Sequence, residues 1–304
     1  MQSIEDSIRI TFLPFTYELV EKGIILNLVD EETFLSCEDE FESIKDCDYI
    51  QVFEKDTLLY DGLFQNGEKN GSGIEYYPDK GYYEGDFCNG FRHGFGVLKY
   101  DNGDIYRGNF VKDEFCGYGE FFNANGSFYK GEFKKNKFNG QGIFTYANGD
   151  YGKGEFKDDK MNGKGEFHYK NGGSYYGNFK NDIFVGKGQY KYSNGREYNG
   201  LFFQDCFHGE GELKEESGNI YTGNFQFGKY SGKGEYVYTD GRKYTGSWKN
   251  DVKDGHGVYE WTDGDVYKGY WRNGVRHGKG FKIKGDVTKK VIYRYNKKIS
   301  EVVV

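Results

Sequence analysis

Proline is almost missing from this 304-residue sequence, which contains only two, and long apolar stretches are missing altogether. Apolar residues make up 36% of the chain, and about half of that share is aromatic, unlike the Leu-, Ile- and Val-rich core of an α/β enzyme. No run of about 18 apolar residues occurs, so no transmembrane helix is expected. The first ten residues are acidic and lack the basic-then-apolar order of a signal peptide.

Cysteine is scarce and irregularly placed. The five cysteines are odd in number and include no Cys-x-x-Cys pair. A disulfide framework or a zinc site is therefore not expected, and a reducing compartment fits this usage better. The sequence predicts no cofactor and no bound metal.

Charge is distributed unevenly along the chain. Residues 1–59 carry a net charge of −11, residues 60–281 are nearly neutral, and residues 282–304 carry +5. The neutral body lacks the basic excess of a nucleic-acid-binding protein, so no nucleic-acid partner is expected. The charged ends indicate either contacts specific to each terminus or simple solvation of exposed ends.

Glycine and aromatic residues are abundant, with 47 Gly, 29 Tyr and 27 Phe, and they recur with a fixed period. Starting at Tyr60, a tyrosine returns every 23 residues as far as Tyr267, with Gly152 as the one exception. Gly follows two residues later, Phe or Trp four residues later, and Gly-x-Gly eleven to thirteen residues later. Ten copies in unbroken register indicate a tandem-repeat protein.

The parity of these spacings predicts strands. Residues 0, 2 and 4 places after the tyrosine share one face of a strand, and those 11, 13, 15 and 17 places after it share the same face of a second strand. We expect the glycines to leave room for rings of the adjacent strand; that they mark β-bulges is the weaker alternative. Links such as Asn102-Gly103 predict two-residue type I′ turns between repeats. The predicted fold is all-β, an elongated, single-layer, twisted antiparallel meander of tandem hairpins.

The pattern Y-x-G-x-[FW] followed by G-x-G resembles the MORN repeat (membrane occupation and recognition nexus). Clear copies begin at Tyr106, Tyr129 and Tyr244, and the resemblance covers residues 60–281. It implies a single-layer sheet that serves as a scaffold, a dimerisation module, a peptide-binding groove or a lipid-associated module. The repeat is also found in cytoskeletal and ciliary proteins, including radial-spoke heads, and before catalytic domains that have no counterpart here.

The two ends differ from the repeats. Residues 1–59 are predicted to form a small acidic head, with strands at 8–12 and 24–30 and a short helix within 31–46. This head would either cover the first strand of the array or serve as a docking arm. Residues 282–304 are predicted to form a basic terminal hairpin that caps the array or adds a strand to another protein.

No catalytic constellation emerges from the sequence, so we do not expect an enzyme. Three of the five histidines share one repeat position, which favours a structural role. The aromatic face is the better candidate for contacts with a protein partner or a second copy of the chain. The residues assigned to it are Trp248, Trp261, Trp271, Tyr244 and Tyr267, with plain packing within the repeats as the favoured alternative for the three tryptophans. The basic tail is the candidate for anionic lipid, through Lys289, Lys290, Arg294, Lys297 and Lys298.

The leading hypothesis is a non-catalytic scaffold or adaptor that binds protein partners within a larger assembly, in the cytoplasm at the cytoskeleton or a cilium. Two alternatives stay open: a membrane-associated module that binds anionic lipid, and an accessory subunit of an organellar complex. The partner, the oligomeric state and the role of residues 1–59 are not specified by the sequence.

Overall fold

The computed structural model describes residues 8–13, 48–54 and 57–304. They form 24 strands and, within these ranges, no helix. The predicted strand at 24–30 and helix within 31–46 lie outside the described residues. The strands are β1 (Ile8–Leu13), β2 (Asp48–Glu54), β3 (Thr57–Gln65), β4 (Glu68–Tyr77), β5 (Gly81–Cys88), β6 (Phe91–Tyr100), β7 (Ile105–Val111), β8 (Glu114–Phe122), β9 (Phe128–Lys134), β10 (Lys137–Thr145), β11 (Tyr151–Lys157), β12 (Lys160–His168), β13 (Ser174–Lys180), β14 (Ile183–Lys191), β15 (Glu197–Phe203), β16 (Cys206–Lys214), β17 (Ile220–Gln226), β18 (Lys229–Val237), β19 (Lys243–Lys249), β20 (Val252–Glu260), β21 (Val266–Arg272), β22 (Val275–Lys284), β23 (Val287–Arg294) and β24 (Lys297–Val303).

The chain divides into two units. The first contains the described residues up to Ala147 together with Phe156–Asp159, and the second contains Asn148–Glu155 and Lys160–Val304. In the first unit each strand from β1 to β10 pairs antiparallel with the next. In the second unit the same holds from β12 to β24. The prediction of an all-β antiparallel meander of hairpins is confirmed.

The strands β1 and β2 precede the first repeat hairpin. The predicted strand near residues 8–12 is present as β1, whereas β2 was not predicted. Because β2 pairs with β3 and β1 pairs with β2, the first strand of the repeats is not a sheet edge. At the other end, β23 and β24 form a hairpin around Tyr295 and Asn296, both with positive φ.

The turns between repeats are not the predicted type I′ turns. Asn102 keeps a negative φ and only Gly103 has a positive one, of +94°. The Tyr100 N–H closes the turn by donating a 2.9 Å hydrogen bond to the Asp104 carbonyl. The Asp104 N–H in turn donates a hydrogen bond to Oδ1 of Asn102. The link between Tyr100 and Asp104 is therefore a three-residue loop. In it the Asn102 side chain supplies the acceptor for the Asp104 N–H, as asparagine often does in turns. The pairs with two positive φ angles lie inside the repeats, as in Lys112 (+49°) and Asp113 (+66°).

The two glycines of each Gly-x-Gly have different roles. In β6, Gly94 has φ +66° and lies in a bulge, where the pairing jumps from Gly85–Gly96 to Phe87–Arg92. A Cβ on Gly94 would meet the Asp86 side chain, so Gly94 faces away from the tyrosines. The bulge interpretation, judged weaker from sequence, is therefore right for this first glycine, because its positive φ favours Gly.

The second glycine makes room for a ring. A Cβ on Gly96 would lie 2.4 Å from the Tyr83 hydroxyl, and one on Gly85 would be equally close. The ring of Tyr83 thus crosses the facing pair Gly85–Gly96, one glycine on its own strand and one on the adjacent strand. We call this surface the aromatic face and the opposite surface the outer face. The repeat tyrosines are its core, with exposures of 0–1%: Tyr60, Tyr83, Tyr106, Tyr129, Tyr175, Tyr198, Tyr221, Tyr244 and Tyr267.

Candidate partner-binding face

Each repeat tyrosine lies in a cluster of rings. Tyr106 packs edge-on against Phe110 at 5.1 Å and against Phe133 of the next repeat at 5.0 Å. It also stacks on Phe115 with 3.7 Å between ring centroids. Aromatic pairs in these geometries add to the free energy of simple burial. Since each cluster includes a ring from the next repeat, the rings connect consecutive hairpins within each unit.

The residue nine places after the repeat tyrosine, here called position nine, was missed by the sequence interpretation. Its side chain packs over the repeat tyrosine, and its only signal in the sequence was that it is always large. Phe or Tyr stacks there in five repeats, Met161 fills the space where Gly152 replaces the tyrosine, and a cation takes the place in four. Position nine is occupied by Lys69, Arg92, Phe115, Phe138, Met161, Phe184, Phe207, Tyr230, Lys253 and Arg276.

A row of half-buried rings forms the accessible part of the aromatic face in the second unit. These rings lie 15 and 17 places after the start of a repeat, and they touch in pairs, as in Phe167–Tyr169 at 4.8 Å and Tyr190–Tyr192 at 4.5 Å. In the last repeat Lys282 and Lys284 take these places, and Leu213 takes the first of them after Tyr198. Glu215 interrupts the row and accepts hydroxyl hydrogen bonds from Tyr230 (2.6 Å) and Tyr236 (2.8 Å). A surface of aromatic rings with few charges is typical of the centre of protein interfaces.

The predicted partner-binding residues occupy different depths of this face. Tyr244 and Tyr267 are completely buried, and Trp248 and Trp271 are 6% and 8% exposed. Trp261 is partly exposed and packs against Tyr259 at 4.7 Å. Trp261 is therefore the member of the predicted set that is partly open to solvent on this face, and the other four lie beneath the surface.

Lys253 occupies position nine among four rings. Its Nζ lies 4.6 Å from the ring centroid of Tyr259, 5.0 Å from Tyr244 and 5.1 Å from Trp271, and it donates a 2.9 Å hydrogen bond to the Tyr238 hydroxyl. Desolvation in this cluster, together with the positive charge of the Arg242 guanidinium, lowers the pKa of Lys253 to about 8.

The outer face is polar and carries cross-strand ion pairs. Examples are Lys130 with Glu120 at 2.9 Å and Lys153 with Glu166 at 3.6 Å. Tyr151, one residue early in the repeat that lacks its tyrosine, lies here, stacked on His168 at 4.5 Å. Such exposed pairs add little stability, so the outer face contributes solubility more than folding energy.

The basic tail is only partly free. Lys289 and Lys298 both pair with Glu301, which lowers the pKa of that carboxyl to about 2. In the described part of the chain, three other cations of the predicted lipid-binding set have no ion pair: Lys290, Arg294 and Lys297. They lie on the last hairpin near exposed apolar residues, including Ile292 (40% exposed) and Val302 (64%).

Among the described residues, no group of three or more His, Cys, Asp or Glu side chains could hold a metal ion. The same ranges contain no helix long and apolar enough to cross a bilayer.

Comparison with known proteins identifies the repeat. The family model for the MORN repeat matches nine times, at residues 60–82, 83–105, 106–128, 129–151, 153–174, 175–195, 221–241, 244–266 and 267–286. The tenth copy counted in the sequence, from Tyr198, is not matched, although β15 and β16 form the same bulged hairpin there. No curated protein matches the chain.

Two solved structures show limited similarity. The TCP domain of SAS-4 from Drosophila melanogaster, in complex with a proline-rich motif of Ana2, is 11% identical, with a TM-score of 0.27 over 59% of this chain and 85% of that one. The G-box domain of the microcephaly protein CPAP is 13% identical, with a TM-score of 0.28 over 69% of this chain and 98% of that one. TM-scores of this size do not establish a common fold.

Proposed function

Because the chain belongs to the MORN-repeat family, whose repeats form binding modules, we propose that it is a non-catalytic adaptor that holds protein partners on its aromatic face. The observation that carries this proposal is the row of half-buried rings in the second unit. Rings left partly open to solvent are costly for a protein to expose unless a partner covers them. The cytoskeleton or a cilium is the proposed location, as part of a larger assembly.

The face is rigid as well as apolar. The repeat tyrosines are buried, their hydroxyls are hydrogen-bonded to the main chain, and their rings are packed on several sides. A preformed surface of this kind loses little conformational entropy when it binds, so a short partner segment gains affinity from it. This favours an adaptor that presents a fixed surface.

Affinity capture with matched variants tests the proposal. Tyr192→Ser and Trp261→Ser remove half-buried rings of the aromatic face, whereas Tyr176→Ser removes a ring that is 40% exposed on the outer face. We expect the wild-type chain and the Tyr176 variant to retain the same partner proteins and the two aromatic-face variants to lose them. Equal retention by all four proteins would contradict the proposal, provided that their unfolding midpoints agree.

A second candidate function is association with an anionic membrane surface through the last hairpin. The unpaired cations Lys290, Arg294 and Lys297 beside exposed Ile292 and Val302 favour it, because charge and apolar side chains together attract a protein to anionic lipid. Glu301 offsets Lys289 and Lys298, so this patch is smaller than the seven basic residues of the tail imply.

A further inference from the structure

The cations at position nine differ in whether a carboxylate neutralises them. Lys69 forms an ion pair with Glu75, and Arg92 forms one of 2.9 Å with Asp113. Lys253 and Arg276, by contrast, have no carboxylate partner within the described part of the chain. Arg276 donates only to neutral acceptors, Asn296 Oδ1 at 2.7 Å and the Tyr293 hydroxyl at 3.3 Å.

The turn residue of the following hairpin explains the difference between Arg92 and the two later cations; opposite Lys69 that residue is Gly90, and the carboxylate there comes from Glu75 of the same strand. Asp113 donates its backbone N–H to the carbonyl of Arg92 and places its carboxylate beside the guanidinium. The equivalent residue opposite Lys253 is Gly274, whose N–H donates to the Lys253 carbonyl at 2.9 Å. Opposite Arg276 it is Asn296, which makes the same backbone bond at 2.8 Å. Two substitutions therefore leave these adjacent cations of the aromatic face without a carboxylate. Both turns carry a neutral residue, and the position that Glu75 occupies beside Lys69 is taken by Tyr259 and Lys282.

The surroundings of Lys253 add a further unused donor. The indole Nε1 of Trp271 is buried and has no hydrogen-bond acceptor in the described structure, whereas that of Trp248 donates to the Gly234 carbonyl at 3.1 Å. Trp271 is 92% buried and its ring lies against the ammonium of Lys253. An ammonium held among aromatic rings is poorly hydrated, which strengthens its attraction for an incoming carboxylate.

We propose that Lys253 and Arg276 form a carboxylate-binding subsite at one end of the aromatic face. The partner would be a protein segment with apolar or aromatic side chains on the ring row and an Asp, a Glu or a C-terminal carboxylate at Lys253 and Arg276. This inference rests on the proposed function, because it assigns chemistry to a partner of the same face. The subsite would also orient that segment, since the preceding repeats of the second unit have Met161, Phe184, Phe207 and Tyr230 at position nine.

The probe for a test is a pair of 14-residue synthetic peptides. Both carry the same alternating aromatic and aliphatic residues, and one ends in three Glu where the other ends in three Gln. All three tryptophans of the chain lie in β19–β21 or in the link between β20 and β21, so intrinsic fluorescence reports binding to the full-length protein. We expect the Glu peptide to bind about tenfold more tightly than the Gln peptide at low salt, as hydrogen bonds to charged groups allow.

Three variants make the test specific. Lys253→Tyr installs the residue that position nine carries in the preceding repeat. Gly274→Asp supplies the missing turn carboxylate, and there is room for it, since nothing lies within 4 Å of a Cβ at that position. Gly228→Asp is the matched control, because it changes the equivalent turn beside Phe207 and has the same free space. We expect the first two variants to abolish the preference for Glu and the control to keep it.

The outcomes separate the subsite from the proposed function. If the Gln peptide binds the wild-type chain as tightly as the Glu peptide, or if neither binds, the subsite is wrong while the capture experiment above still decides the adaptor role. A Glu preference that survives in both Lys253→Tyr and Gly274→Asp would also overturn it. Binding of phosphatidylserine vesicles that is lost in Gly274→Asp, without any Glu preference, would assign these cations to lipid and overturn the proposal.

Discussion

The hydroxyl of Tyr106 donates a 3.0 Å hydrogen bond to the backbone carbonyl of Asn109, three residues further along the same strand. Eight other repeat tyrosines make the same bond, with lengths of 2.7–3.2 Å. The bond satisfies a buried polar group and fixes the ring across the glycine pair. Burial also raises the pKa of the hydroxyl in the eight repeat tyrosines from Tyr83 to Tyr267, to about 12 in Tyr175, Tyr198 and Tyr267.

Tyr106→Phe removes this bond and keeps the ring. We expect the free energy of unfolding to fall by about 0.5–1.5 kcal/mol, the usual net contribution of one intramolecular hydrogen bond. Urea denaturation followed by far-UV circular dichroism measures the change. Tyr118→Phe in the same repeat is the control, since Tyr118 is 55% exposed on the outer face. Equal losses in the two variants would show that the hydroxyl bond contributes nothing.

Gly119→Ala tests the space above the glycine pair. An added Cβ would lie 2.8 Å from the Tyr106 hydroxyl and 2.9 Å from its Cε2, closer than van der Waals contact allows. We expect a loss of about 1–3 kcal/mol in the free energy of unfolding, the range for overpacking a core. Gly264→Ala, with φ +84° and no atom within 4 Å of a Cβ, should lose only about 1 kcal/mol from left-handed strain. If Gly119→Ala lowers the free energy of unfolding by less than this control does, the tyrosine ring does not clash with a Cβ at Gly119.

Lys253→Tyr should change how stability depends on pH. The pKa of Lys253 is about 8 in the folded chain against an ordinary value of 10.5, so between these values the unfolded chain binds the extra proton. Stability of the wild-type chain therefore rises with pH across this window, relative to a variant without the amine. Because the side chain is only partly buried, we expect a relative gain of about 1–2 kcal/mol.

Urea titrations of the two proteins at several values between pH 7.5 and 10 measure that difference. Wild-type and variant curves that stay parallel over the window would show that Lys253 keeps an ordinary pKa.

Replacing Lys290, Arg294 and Lys297 together by Gln tests the membrane alternative. We expect binding to phosphatidylserine vesicles to weaken by about 1 kcal/mol for each charge removed, with binding that falls as salt rises. Liposome flotation measures it. The control replaces Lys180, Lys229 and Lys249, three exposed lysines in the repeats, and removes the same net charge. If both triple variants float like the wild-type chain, the last hairpin is not a lipid-binding patch.

The repeat face could be predicted because a strand puts every second residue on one side. A period of 23 residues with Tyr, Gly and an aromatic at even spacing was enough to predict the hairpins, their aromatic face and the rings over the second glycine, such as Gly96. Position nine was missed because it follows the turn, and a bulge between it and Gly96 interrupts the simple alternation. The type I′ turns were placed wrongly because Asn-Gly occurs in both kinds of link, and φ decides between them.

The sequence by itself determined the all-β meander, since the same glycine and aromatic positions recur in every repeat and specify the same local strand pattern each time. Only the tertiary structure decided which cations are neutralised, because Lys69 is paired with Glu75 of its own strand, whereas Arg92 is paired with Asp113, 21 residues away in the turn of the following hairpin. Arg92 is paired with the carboxylate of Asp113, whereas the equivalent turn residue opposite Lys253 is Gly274, which has no carboxylate. The sequence contains this difference, but only the structure shows that these turn residues lie beside position nine. The depth of each aromatic ring was also decided by the tertiary structure, since Trp271 is covered by Tyr244 and Tyr267 and is 8% exposed, whereas Trp261 is partly exposed.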